Sequence, residues 1–210
     1  MSIELELNRQ FELANWIDKN LSCKCSVDKA GHLALACFDL SIEHHAAICS
    51  LASSGLFGSA YSLLRVQFEA LIRGLWLRHV ATENELAVFE KKDEPPISPG
   101  SLIKAVEESV GLPDSLLSEV KSKKWGLLCS FTHSGHQALI RRANETQTGA
   151  VNYRPLEVIS VLHTAGAMAT LAGVELASLT QKPSIIGAAM EKAKEYADQQ
   201  AYNNPRKADG

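Results

Sequence analysis

The sequence predicts an all-α protein, a helical bundle with about four long core helices and shorter covering helices. Apolar residues recur at the helical period along most of the chain. No stretch alternates apolar and polar residues as a half-buried strand would. Glycine, proline and polar turns interrupt the helical pattern at short intervals, which is typical of helices joined by short loops.

Turn signals divide the first half of the chain into four predicted helices, at about residues 4–21, 32–53, 57–82 and 83–92. Gly31 precedes the second helix, and the run Ser53-Ser54-Gly55 ends it. Three prolines lie between residues 93 and 100, so the fourth helix must stop before them.

The second half predicts four more helices, at about residues 101–110, 115–142, 155–180 and 184–199. The turn Gly111-Leu112-Pro113-Asp114 and the polar run over residues 144–152 separate the first three. The helices near 32–53, 57–82, 115–142 and 155–180 are long enough to form the core of the bundle. Small residues in the last of these, such as Ala165, Ala169 and Gly173, favour tight core packing over a special dimer face.

Length and charge indicate one domain of ordinary composition. The 210 residues fit a single domain, predicted over residues 1–197, followed by a flexible tail over 198–210. With 21 Lys and Arg against 24 Asp and Glu, the net charge of −3 argues against general attraction to nucleic acid or membranes. The first residues lack the basic start and apolar core of a secretory signal, which predicts a cytoplasmic protein.

The apolar segment over residues 158–179 raises the question of a membrane span. It contains His163, Glu175 and two glycines, whose insertion into lipid is less favourable than that of leucine. We therefore expect a buried helix and no membrane contact.

Metal binding is considered at two places and is not expected at either. Cys23 and Cys25, with His32 and Cys37, could supply four ligands, but their spacing matches no familiar zinc pattern. His44, placed on an apolar stripe, could combine with Glu69, His133 and His136 inside the bundle. Bundle metal sites typically repeat a Glu-x-x-His pair, which this chain lacks, so no metal or other cofactor is predicted. The odd set of five cysteines indicates reduced thiols.

The principal candidate site is Arg65 with Glu69. The helical period places both among Phe68, Ile72 and Trp76, so they are expected to be largely buried and to contact each other or the helix of His133. A buried charge is costly unless it is paired, so the pair indicates either a functional site or a structural clamp. If the pair is buried, Glu69→Ala should cost about 3 to 5 kcal/mol.

Two further groups contain histidine, the side chain best suited to proton transfer near neutral pH. His133 lies on a predicted polar stripe with Gly126, Cys129, Ser130 and Gln137, and His136 is three residues further along; the alternative is a hydrogen-bonded core histidine. Arg73 and His79 could cleave RNA without metal, with histidine moving protons and arginine stabilising the phosphorane, although this two-residue pattern also occurs by chance.

The run from Ser62 to Leu71, with Thr132-His133-Ser134, resembles uncharacterised bacterial all-helical proteins placed near the HEPN superfamily. In those proteins an Arg-x-x-x-Glu-Ala segment lies on one core helix and a His-Ser element on another. The resemblance covers residues 59–79 and 131–140. It implies an all-helical, often dimeric protein, commonly a toxin or phage-defence ribonuclease with an Arg-x(4 to 6)-His motif. Arg73 and His79 match that motif with five residues between them.

The leading hypothesis is therefore a cytoplasmic, HEPN-like defence or toxin protein that acts as a metal-independent ribonuclease on RNA and forms a homodimer. Arg65 and Glu69 would organise the site, and His133 or His79 would supply acid and base chemistry. One alternative is a non-enzymatic interaction module. The other is a bundle that binds an anionic small ligand or nucleotide through Arg65 and Arg73, because guanidinium forks match phosphate.

Overall fold

The protein is represented by a computed structural model that describes residues 2–21, 26–111, 116–143, 146, 148–149 and 152–203. The helices are α1 (Ile3–Leu21), α2 (Lys29–Ser53), α3 (Phe57–His79), α4 (Glu83–Lys92), α5 (Pro99–Val110), α6 (Leu116–Thr132), α7 (His136–Leu139), α8 (Pro155–Leu179) and α9 (Pro183–Asn203). Apart from one isolated bridge between Ala143 and Thr148, regular structure in these residues is helical. The predicted all-α class is confirmed.

The core lies where α2, α3, α6 and α8 meet, which are the four regions predicted to be long enough. α2 packs along α3, α8 packs on both, and α6 lies against the far side of α3. The buried face of α3 includes Leu64, Phe68, Leu71 and Leu75. α1 and α9 cover α8, while α5 lies beside α3 and α6.

The small residues of α8 serve packing inside the chain. Ala165, Ala169 and Ala172 are fully buried. A Cβ at Gly166 would collide with the side chains of Gln10 and Tyr196, so α1 and α9 approach the α8 backbone closely only because this residue is glycine. α8 is long and apolar enough to span a membrane by composition, and 56% of its most apolar window is buried in the bundle. It occupies the position of a core helix.

The predicted continuous helix over residues 115–142 is wrong. α6 ends at Thr132, and Ser134 adopts a left-handed backbone conformation with φ of 53° before the short α7 begins. The N–H of Gly135 donates to the carbonyl of Ser130 (2.7 Å), and a side chain at Gly135 would crowd the Ser130 hydroxyl. Gln137 therefore lies in α7 rather than on the face of α6, and only its backbone N–H reaches the stripe, by donating to the Ser130 hydroxyl (3.1 Å).

Other helix ends differ from the predictions by a few residues. α3 ends at His79 rather than at 82, because Thr82 instead caps α4 in a reciprocal capping box with Glu85. α2 starts at Lys29, where the Asp28 side chain accepts a hydrogen bond from the N–H of Gly31 (2.8 Å). α9 continues to Asn203, so the predicted tail from 198 begins inside a helix, and residues 204–210 lie outside the described part.

Candidate functional site

An open pocket of about 360 Å³ lies between α3, α5, α6 and the segment that precedes α5. We call it the arginine pocket. Its polar and aromatic wall comprises Arg65, Glu69, Arg73 and Trp125. The rest of the lining is apolar apart from Glu94: Phe68, Ile72, Pro95, Ile97, Pro99, Leu102 and Ile103. Residues 65, 69 and 73 are successive turns on one face of α3, so a single helix presents both arginines and the glutamate.

Arg65 is held by three neighbours at the edge of this pocket. Its Nε donates to Glu69 Oε1 (2.9 Å), and its guanidinium carbon lies 4.9 Å from the centre of the Trp125 ring. Its Nη1 lies 2.7 Å from Nε2 of His133. Because guanidinium is only a donor, the His133 nitrogen accepts this hydrogen bond. The predicted contacts of Arg65 with Glu69 and with the helix of His133 are therefore present.

The pair is largely covered, as predicted, but it is not fully enclosed. The Arg65 and Glu69 side chains are 20% and 30% exposed. The fully buried face of α3 passes through Leu64, Phe68 and Leu71, while the pair lies at its margin, where the pocket opens to solvent. A charged pair at such a margin keeps part of its hydration, so its presence does not require the large desolvation penalty that the sequence pattern implied.

Arg73 lines the same pocket and forms no hydrogen bond or ion pair within the described part of the chain. The positive charge of Arg73 affects the thiol of Cys37 on α2. Burial raises the pKa of that thiol, and the nearby Arg73 offsets part of the increase. The pocket thus contains one arginine already engaged by protein groups and one available to a ligand.

His79 does not join Arg73. Six residues along an α-helix rotate the side chain by about 240°, so the two occupy different faces of α3. His79 Nε2 lies 2.9 Å from Glu175 Oε2, and Arg78 Nη1 lies 2.8 Å from the same oxygen. Arg78 also donates to the carbonyl of Glu175. These contacts fasten the end of α3 to α8 and leave the Arg73 and His79 motif divided between two places.

The two histidines after α6 also differ in their contacts. His133 reaches Arg65 at the pocket edge, whereas His136 is exposed at the start of α7 and its side chain has no hydrogen bond or ion pair in the described residues. Of the six predicted site residues, the structure brings together Arg65, Glu69, Arg73 and His133, and leaves out His79 and His136.

The described residues contain no group of three or more metal-ligating side chains placed to hold a metal ion. Cys23 and Cys25 of the predicted zinc alternative lie outside the described residues. His44, named in the second metal alternative, does not lie on the buried stripe of α2, which passes through Phe38, Ser41 and His45. His44 is half-buried, and this burial lowers its pKa.

A buried polar network that the sequence pattern did not predict joins α1, α2, α8 and α9. Gln10 Nε2 donates to Glu6 Oε1 (2.5 Å) and to the Tyr196 hydroxyl (3.0 Å). Gln10 Oε1 lies 2.9 Å from His45 Nε2, which must be the donor because an amide oxygen only accepts. Tyr196 in turn donates to the carbonyl of His163 (3.1 Å). Glu6, Gln10 and His45 are fully buried.

Burial, hydrogen bonds and nearby charges shift the pKa values of two members of the network. Burial raises the pKa of Glu6, but contacts with His163 and Gln10 and the charges of His163 and Arg9 outweigh it, so the net pKa is lowered. His163 Nε2 lies 2.9 Å from Glu6 Oε2. Burial lowers the pKa of His45 to about 4, so its imidazole is neutral. The only sequence signal for the network was Glu6 and Gln10 one turn apart within an apolar stripe.

A family model matches residues 38–201, and by this match the chain belongs to DUF6988, described as a family of unknown function. No curated protein and no solved structure matched the chain.

Proposed function

We propose that this member of the DUF6988 family binds a small anionic ligand of the nucleotide class in the arginine pocket. The observation that supports the proposal best is Arg73, whose guanidinium lies on the wall of a mostly apolar pocket and has no ion-pair partner among the described residues. An arginine there can form paired hydrogen bonds with a phosphate or carboxylate.

The rest of the pocket suits the remaining parts of such a ligand. A base or other flat apolar group would lie against Phe68, Ile72 and Leu102, and its phosphate would lie near Arg73. Arg65 supplies a second cation whose orientation is already set by Glu69 and Trp125, so little side-chain entropy remains to be lost on binding. Small-molecule sites of this kind combine an apolar lining with a few oriented polar groups.

Binding is tested by titrating the purified protein with AMP, ATP, benzoate and inorganic phosphate in a calorimeter. We expect nucleotide binding, weaker binding of phosphate alone, and a loss of about 10- to 100-fold in affinity in Arg73→Gln, the range for a charge-assisted hydrogen bond. Arg154→Gln is the matched control, since Arg154 is exposed and contributes only backbone groups to the start of α8. Equal affinities in the two variants, or no binding of any of these ligands, would contradict the proposal.

A metal-independent ribonuclease of the kind implied by the HEPN resemblance is a second candidate, favoured by the contact between Arg65 and His133. His133 could accept a proton from a ribose 2′-hydroxyl that replaces Arg65 as its partner. The 2′-oxygen would then attack phosphorus, Arg65 would stabilise the phosphorane, and the 5′-oxygen would leave and take up a proton. The products would be a 2′,3′-cyclic phosphate and a 5′-hydroxyl.

The ribonuclease is tested with varied RNAs in the presence of EDTA. We expect cleavage by the parent protein and by His79→Ala, because His79 is engaged by Glu175 away from the pocket. His133→Ala should abolish cleavage while leaving the helical circular dichroism unchanged. Intact RNA at high protein concentration would reject this candidate, and a negative result in both tests would favour the non-enzymatic interaction module.

A further inference from the structure

A second pocket, separate from the arginine pocket, lies between α3, α6 and the first turns of α8. It measures about 260 Å³. Its walls are mainly the apolar side chains Leu64, Leu127, Leu128, Leu156 and Val161. Tyr61, Lys124, Arg141, Glu157 and Ser160 provide the polar groups. We call it the tyrosine pocket. The linings of the two pockets have no residue in common, although both include residues of α3 and α6.

Three buried polar atoms in and beside the tyrosine pocket have no hydrogen-bond partner among the described residues. They are the hydroxyl of Tyr61, the hydroxyl of Tyr153 and Nε of Arg141. Tyr61 is only 2% exposed. The rings of Tyr61 and Tyr153 are 5.5 Å apart, and the Arg141 guanidinium carbon lies 5.9 Å from the Tyr153 ring. Buried polar atoms are rarely left unpaired, and two of these, on Tyr61 and Arg141, belong to residues that line the pocket itself.

All three atoms can donate, which restricts the chemistry of any partner. Both phenols stay protonated, because burial raises the pKa of Tyr61 and of Tyr153. Most of the other Arg141 donors are engaged: Nη1 reaches Glu157 Oε2 (2.6 Å) and the carbonyl of Asn152 (3.0 Å), and Nη2 reaches Glu157 Oε1 (3.4 Å). The matching group is an oxygen that accepts hydrogen bonds from both Tyr61 and Arg141.

The charges favour an anionic oxygen over a neutral one. Lys124 and Arg141 contribute two positive charges to the lining, and Glu157 contributes one negative charge that Arg141 already neutralises. Lys124 Nζ stays on the pocket wall through hydrogen bonds to Thr164 (2.5 Å) and Ser160 (3.4 Å). The rest of the lining is mainly apolar and suits a hydrocarbon chain.

We propose that the tyrosine pocket binds a small aliphatic carboxylate, with its head group at Tyr61 and Arg141 and its chain against Leu64, Leu128 and Val161. The site does not depend on the function proposed for the arginine pocket.

The probe is octanoate, titrated into the full chain and followed by methyl NMR and calorimetry. We expect saturable binding with shifts at Leu128 and Val161. Tyr61→Phe, which removes only the unpaired hydroxyl, should weaken octanoate about tenfold, as expected for a hydrogen bond to a charged group. Octan-1-ol, which lacks the charge, should bind at least as weakly.

Tyr196→Phe is the matched control, because that hydroxyl is bonded to Gln10 and to the His163 carbonyl. It should lower the melting temperature and bind octanoate like the parent, whereas Tyr61→Phe should melt at or above the parent temperature. The proposal is overturned if octanoate does not saturate, which is the result expected of a site filled by water only. It is also overturned if Tyr61→Phe binds like the parent, or if binding is lost in Arg73→Gln and so belongs to the arginine pocket.

Discussion

Arg65 is hydrogen-bonded to both Glu69 and His133 and is stacked on Trp125. The sequence shows only that it lies one helical turn from Glu69 and within an apolar stripe. These contacts preorganise one guanidinium, while Arg73 two turns later is left without an ion pair in the described residues. The difference between the two arginines lies in the partners of Arg65: Glu69 on the same helix, Trp125 on α6 and His133 just after α6. It is this asymmetry that makes Arg73 the better test of ligand binding.

Removing the carboxylate of Glu69 is expected to have a small effect on stability. Because the side chains of the pair are 20% and 30% exposed, solvent screens the lost interaction, and Glu69→Ala should lower the free energy of unfolding by about 1 kcal/mol. This replaces the 3 to 5 kcal/mol expected of a fully buried pair. Urea unfolding at neutral pH measures the change. A loss of about 3 to 5 kcal/mol would instead show that the pair is shielded from water.

His45 should make the protein sensitive to mild acid. Its pKa is lowered from 6.5 to about 4 by burial, so the unfolded chain binds the proton first as the pH falls. The stabilisation is fully present above pH 6.5 and is lost between 6.5 and about 4, a total on the order of 3 kcal/mol.

The variant His45→Gln isolates this contribution, because the amide nitrogen can still donate to Gln10 and does not titrate. Its free energy of unfolding should stay nearly level from pH 6.5 to 5, where the parent declines. His136→Gln, at an exposed histidine, should follow the parent profile. An unaltered decline in His45→Gln would assign the acid sensitivity to another group.

Among the helices, α8 shows how strongly packing depends on a single small side chain. The side chains of Gln10 on α1 and Tyr196 on α9 contact the α8 backbone at Gly166. The three helices can meet there because Gly166 has no Cβ. The sequence predicted tight packing for this helix, and the burial of Ala165, Ala169 and Ala172 confirms it.

Adding one methyl group at this crossing should loosen α1 and α9. Gly166→Ala is expected to destabilise the protein by about 1 to 3 kcal/mol, the range for overpacking a filled core. Gly126→Ala in α6 is the matched control, since a Cβ there meets open space and alanine raises helix propensity, giving up to about 1 kcal/mol of added stability. Thermal unfolding followed by circular dichroism compares them. Similar shifts in both variants would rule out a packing effect specific to Gly166.

For the whole molecule, the near-balanced net charge of −3 provides no general attraction for nucleic acid, so recognition must depend on local groups such as those of the two pockets. The homodimer and the cytoplasmic location remain predictions. Sedimentation equilibrium over a range of protein concentrations measures the former, and we expect a species of twice the chain mass. A single-chain mass at every concentration would contradict it.

The fold class followed from the sequence because helical periodicity is a local property. Within each helix, the spacing of the apolar residues indicates which face is buried. The same locality predicted the contact between Arg65 and Glu69, which are one turn apart. The break at Ser134 was missed because it depends on one left-handed residue and on hydrogen bonds of Gly135 rather than on periodicity.

Only the tertiary structure decided which polar residues meet. Arg73 and His79 are close in the chain but lie on different faces of α3, whereas Glu6, His45 and Tyr196 are far apart in the chain and joined in one network. Tyr61 and Arg141 become neighbours in the same way. The physical reason is that burial and charge pairing depend on how helices cross, and a crossing is determined by the packing of all the helices together.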